Sequence, residues 1–78
     1  MMNQVMLIGK VRGVWPDKIM LEVGNEDERT TIPVYITEAI RSNMGELANE
    51  GDIVGIKGCL NGEYGNVKVV GKKLVLLN

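Results

Sequence analysis

The sequence contains no histidine and no phenylalanine, one cysteine, one serine, one tryptophan and two tyrosines. Without an imidazole, and with Ser42 as the sole serine, a nucleophile–base triad cannot be assembled in its usual forms. Glu26, Asp27 and Glu28 are adjacent in a polar stretch, where alternating direction and solvent make a shared-proton dyad a poor expectation. The run from Gly65 to Lys72 is one residue too long for a phosphate loop, and Lys73 stands where that motif needs serine or threonine. Catalytic residues and cofactors are therefore not expected, and the chain does not read as an enzyme. A single thiol, Cys59, excludes an intrachain disulfide, and without imidazoles it cannot complete a tetrahedral metal site. No apolar run approaches the roughly 18 residues of a membrane span. Met1 to Gln4 lacks a basic region leading into an apolar one, so no signal peptide is expected. With one free cysteine, a cytoplasmic location is the expectation.

What is present reads as a folded chain. Apolar residues make up 45% of the 78, and acidic and basic residues are mixed. One domain, residues 1–78, is the most this length allows. A domain so short buries only roughly 60% of the surface its unfolded chain exposes. Support from disulfides or a metal being absent, oligomerisation is the remaining route. Net charge is −1 but unevenly spread. Residues 1–24 hold three basic against two acidic residues, residues 25–52 two against seven, and residues 53–78 four against one.

Glycines punctuate β-branched stretches along the whole chain. A strand is predicted over Val5 to Val14, with Val5, Leu7, Gly9 and Val11 on one face. Trp15-Pro16-Asp17-Lys18 supplies turn chemistry, so Lys18 to Val23 forms a hairpin with the first strand. After the polar Gly24–Glu28 connection, Thr30 to Ile36 alternates Ile32, Val34 and Ile36 against Thr31, Pro33 and Tyr35. Ile40, Met44, Leu47 and Ala48 then fall at the spacing of one helix face. Thr37-Glu38 suits the start of that helix and Gly51 its end, while Gly45 inside costs about 1 kcal/mol and keeps it short. Asp52 to Leu60 reads as a fourth strand, Asn61-Gly62 as the opening of a hairpin loop to Asn66. Val67 to Leu77 is the fifth, bent or bulged at Gly71. The order is all-β with one short helix, β1-β2-β3-α-β4-β5, that of the five-stranded OB-fold Greek-key barrel.

Particular stretches carry a family likeness. Asn3-Gln4-Val5-Met6-Leu7-Ile8-Gly9-Lys10-Val11 resembles the opening strand of bacterial single-stranded-DNA-binding proteins. Leu47 with Glu50-Gly51-Asp52-Ile53-Val54-Gly55-Ile56-Lys57-Gly58 resembles their helix end and fourth strand, and Val69-Val70-Gly71-Lys72-Lys73-Leu74 with Leu77 their last strand. Ile32-Pro33-Val34 resembles primosomal replication protein B, a dimeric relative of that fold. The resemblance spans nearly the whole chain and implies the barrel more specifically than the activity. Thr30-Thr31 replaces a tryptophan usual at the start of the third strand, two connecting loops look short, and the sequence ends at Asn78 without the family's long acidic tail. A phage or mobile-element variant, or a replication accessory factor, suits those departures.

Single-stranded nucleic acid is held by aromatic platforms under the bases and cations along the backbone. Trp15 falls in the first loop, Tyr64 in the fourth-to-fifth loop and Tyr35 on the outward parity of the third strand, all near the usual binding face. Each also has a plain structural alternative: covering a barrel end, packing on its hairpin, or lying in an interface. Lys10, Arg12, Lys57, Lys68 and Lys72 are the expected phosphate contacts, against the alternative of ordinary solvated strand faces. The acidic Glu26–Glu28 stretch near the binding side would weaken the affinity. Met6 and Ile8 point outward where a half-exposed strand should be polar, so they are expected to line an oligomer interface, against the alternative that the helix packs over the strand.

The leading expectation is thus binding of single-stranded DNA with little sequence preference, RNA remaining open. It would act as a homodimer or homotetramer in replication, recombination or a mobile element. The competing expectation is an oligomeric protein-interaction module of a replication complex, with weak or no nucleic-acid binding.

Overall fold

The computed structural model describes residues 3–43, 48–63 and 65–78. Its elements run β1 (Val5–Val14), β2 (Lys18–Gly24), β3 (Arg29–Tyr35), α1 (Glu38–Asn43), β4 (Ile53–Glu63) and β5 (Asn66–Leu76). The strands close into a barrel in the order β1-β2-β3-β5-β4. All neighbours are antiparallel except β3 and β5, which run parallel through Val34↔Val69 and Tyr35↔Val70. This is the OB-fold architecture read from the alternation of side chains.

The core follows from that alternation. Val11, Ile19, Leu21, Val34, Ile36, Ala48, Val54, Ile56 and Leu74 are buried, with Leu7, Val23, Ile32, Ile40 and Val69 packed against them. Each fully buried Val, Leu or Ile contributes about 1.5–3 kcal/mol relative to exposure. Ile36, just beyond β3, stays at 4% exposure because its amide donates to the Asp17 carbonyl at 2.8 Å. α1 starts at the expected cap: Thr37 Oγ1 accepts from the Ile40 amide at 3.2 Å. Met44, Gly45 and Leu47, used in predicting the helix, lie outside the described residues. Gly51 takes a φ of 95° in a turn where Asp52 N donates to Asn49 O, and it leads into β4.

Two bulges shape the barrel. β1 pairs with β4 over Val5–Lys10 and with β2 over Lys10–Val14, and the register shifts between Val11 and Gly13. Arg12 is the extra residue, so Gly13, opposite outward-facing Met20, leaves the inward row of Val11. On β5 the pairs Gly58↔Gly71 and Lys57↔Lys73 leave Lys72 unpaired. The bulge expected at Gly71 is present, Gly71 and Lys72 together facing Gly58, and it turns Lys72 and Lys73 both outward while returning Leu74 to the core.

The hairpin expected between the last two strands is formed, but its loop is shorter than the Asn61–Asn66 stretch assigned to it. Asn61 and Gly62 pair with Lys68 and Val67, and the ladder continues to Glu63↔Asn66. The reversal falls next to Gly65, whose φ of 82° is the left-handed conformation that glycine adopts without penalty. Asn-Gly is a turn signal only locally, and here a longer cross-strand ladder outweighs it.

Candidate nucleic-acid interface

Trp15 opens the β1–β2 turn, which its own amide closes by donating to Lys18 O at 2.9 Å. Its carbonyl accepts from Arg41 Nη2 of α1 at 3.0 Å. The indole lies over Gly13, yet the residue remains 46% exposed. One ring surface is therefore seated on the barrel while part of the residue faces solvent.

Lys18, the first residue of β2, is the cross-strand partner of Tyr35. Its ammonium stands 5.8 Å from the Trp15 ring centroid and 5.9 Å from that of Tyr35. From β5, Lys68 Nζ approaches the Tyr35 ring at 5.0 Å. Trp15, Lys18, Tyr35 and Lys68 thus form a continuous strip in which two π faces alternate with two cations. An exposed cation–π contact is worth about 0.5–1 kcal/mol, against about 1–3 kcal/mol for a stacked base. A base can accordingly displace either ammonium from the ring and leave it free for a phosphate.

The other predicted residues fall elsewhere. Lys57 and Lys72 line a pocket of about 340 Å³ with Asn3, Gln4, Gly58 and Cys59 on the outer side of β4 and β5. Lys72 lies four residues from Lys68 on β5, roughly 13 Å along an extended strand. Arg12 pairs with Glu22 at 3.4 Å, and Arg29 approaches the same carboxylate at 3.9 Å. Lys10 is the cross-strand partner of Glu22, so this cluster keeps a cationic excess around one acid. Tyr64 lies outside the described residues. Met6 and Ile8 are 77% and 69% exposed, as their outward parity requires.

The acidic Glu26–Glu28 stretch, expected near the binding side, lies at the opposite end of the β2–β3 hairpin from Lys18 and Tyr35. It forms the tip of the β2–β3 hairpin, where Asn25 Oδ1 accepts from the amides of Asp27 and Glu28. From Lys18 to Gly24 is roughly 20 Å of strand, beyond a Debye length of about 8–10 Å. Lys18, which lies between the two rings, is not singled out by composition or local motif. Its signal was available in the hairpin register, which sets it opposite outward-facing Tyr35.

No protein-family model matches the sequence, and none of the curated proteins matches it. Solved structures do. The dimeric N-terminal domain of PriB protein from Thermoanaerobacter tencongensis superimposes with a TM-score of 0.73 at 20% identity, covering 97% of either chain. Rim1, a mitochondrial single-stranded DNA binding protein of S. cerevisiae, gives 0.78 at 13% identity over 96% of this chain and 93% of its own. The Stn1–Ten1 complex of S. pombe gives 0.70 at 15% identity, over 97% of this chain and 59% of the other. At such low identities the superpositions establish a common fold, the OB barrel, and no more.

Proposed function

We propose that this chain binds single-stranded nucleic acid, DNA in the first instance, by stacking bases on Trp15 and Tyr35 beside the cations Lys18 and Lys68. The strip of alternating rings and ammonium groups is the observation that carries this reading. Nothing in it matches the edge of a particular base, so recognition is of π faces and phosphates and is tolerant of sequence. From Lys68 the backbone continues along the outer side of β5 toward Lys72 and Lys57, with Lys10 and Arg12 as peripheral contacts and Tyr64 as a further stacking residue. One structural neighbour, Rim1, is a mitochondrial single-stranded DNA binding protein, and the setting of this activity is DNA replication, recombination or a mobile element.

Titrating the protein with oligo-dT while following Trp15 emission tests the reading. Quenching is expected, with log affinity falling against log salt by about 0.7 per phosphate contacted. Absence of quenching at micromolar protein and low salt overturns it.

The acting form is a homo-oligomer joined through Met6 and Ile8. These side chains, with Val75 and Leu77, border an apolar groove of about 410 Å³ separate from the strip. That groove is also what favours the second reading, a protein-interaction module in which the barrel serves chiefly as a docking surface.

A further inference from the structure

The groove that includes Met6 and Ile8 carries a charge arrangement that its apolar character does not explain. Across β1, β4 and β5 two rows of outward residues lie side by side: Ile8–Gly55–Val75 and Met6–Lys57–Lys73. Gly55 forms the floor, because a Cβ there would touch only Leu77 Cδ1, at 3.7 Å. Met6 and Ile8 rise on one side, and Val75 and Leu77, 48% and 52% exposed, on the other. One face thus presents both a ridge and a furrow of similar apolar chemistry, which is what a two-fold interface requires of a single patch. A second copy of this chain is the occupant that fits.

The second row makes such pairing costly. Lys57 and Lys73 are direct cross-strand neighbours, and the β5 bulge turns Lys72 outward beside them. No carboxylate lines this groove or the adjoining pocket among the described residues. A two-fold operation across Met6 and Ile8 brings a second set of the same three lysines toward the first. Such a pairing would gather like charges at the seam, with no carboxylate of the groove or pocket to offset them among the described residues. Apolar burial draws the copies together while like charges oppose it, and a multivalent anion lying along the rim resolves the conflict.

We infer that two copies joined through this face complete a composite polyanion site at their seam, made of Lys57, Lys72 and Lys73 from each copy, at the far end of the path that leads from the aromatic strip. The inference rests on the homo-oligomer reading above. Its ligand class is a linear chain of phosphates, either a nucleic-acid backbone or a free polyphosphate. By linkage, anion binding and dimerisation strengthen each other by the same factor.

Sedimentation equilibrium at matched ionic strength tests it, in chloride alone, with tripolyphosphate, and with oligo-dT using a Trp15→Ala/Tyr35→Ala variant that lacks the stacking rings. Tripolyphosphate, having no bases, is expected to tighten the dimer about tenfold, within the usual range of such couplings. Lys57→Gln/Lys73→Gln should dimerise more tightly than wild type in chloride and lose the response. Tightening by oligo-dT supports the nucleic-acid backbone as the source, and tightening by tripolyphosphate alone supports free polyphosphate. A dimer indifferent to both anions overturns the inference while leaving the dimer intact. A monomer under every condition, Lys57→Gln/Lys73→Gln included, overturns the homo-oligomer reading itself.

Discussion

The indole of Trp15 rests on the bare backbone of Gly13, so closely that a Cβ added at Gly13 would lie 2.3 Å from the ring. The bulge at Arg12 creates this seat by bringing Gly13 to the outside of the barrel. Ring orientation is thereby fixed by the absence of a side chain two residues earlier. Gly13→Ala should lift the indole from its seat with little effect on the rest of the fold. A red-shifted Trp15 emission and an oligo-dT affinity reduced by about 1–2 kcal/mol are expected, since a mobile ring pays ordering entropy when it stacks. Unchanged emission in that variant would show that the seat does not hold the ring.

Tyr35 and Lys68 touch, yet their losses should be distinguishable. Tyr35→Ala removes a stacking face and is expected to cost about 1–3 kcal/mol of affinity without changing the salt dependence. Lys68→Ala removes a phosphate contact, so the slope of log affinity against log salt should fall by about 0.7. Tyr35→Phe keeps the ring and should bind nearly as wild type. Titrations of the three variants at several salt concentrations separate stacking from charge. Equal slopes in wild type and Lys68→Ala would remove Lys68 from the interface.

The strands were legible because period-two alternation reports burial directly: Val34 is 1% exposed between half-buried Pro33 and Tyr35, as their order implies. What sequence could not convey was the phase change at the bulges. Strict alternation would put Gly13 inward with Val11, and Lys72 and Lys73 on opposite sides. An unpaired residue in each strand undoes both expectations; Gly71 marks the second bulge, beside Lys72, and nothing local marks the first. The aromatic positions were readable from turn chemistry and parity. Their cationic neighbours depended on inter-strand register, which placed Lys18 and Lys68 against Tyr35 and sent Arg12 to Glu22. The hairpin at Asn61–Asn66 was legible but its loop length was not, because the cross-strand ladder continues through Asn61 and Gly62 against their local turn preference.

Asn3 offers a test of how the open edge of β4 is managed. β1 covers β4 only as far as Gly58, and beyond that the Asn3 carboxamide takes the place of a strand residue. Its Oδ1 accepts from Leu60 N at 2.9 Å and its Nδ2 donates to Leu60 O. Asn3→Ala should lower stability by about 1–2 kcal/mol, two neutral hydrogen bonds on an exposed edge. Urea unfolding would report it as a lower midpoint at unchanged slope. Amide exchange at Leu60 should accelerate with it, and unaltered exchange would show that the carboxamide does not protect this edge.

Substitutions at Met6 should distinguish charge from simple loss of apolar surface at the seam. The side chain is 77% exposed, so replacing it leaves the core untouched. Its cross-strand partner is Lys57, with Lys73 one strand farther. Met6→Lys removes apolar area and adds a further cation to a row that has no acid. Met6→Glu removes similar area but faces two lysines of its own copy and those of the partner. Both should dissociate the homo-oligomer relative to wild type, and Met6→Lys the more strongly, by about tenfold at low salt. That gap should close as salt approaches 1 M, where the Debye length shrinks to about 3 Å. Light scattering over a protein dilution series at two salt concentrations measures both effects. Equal dissociation by the two variants at low salt would mean that the lysine row stands outside the contact between copies.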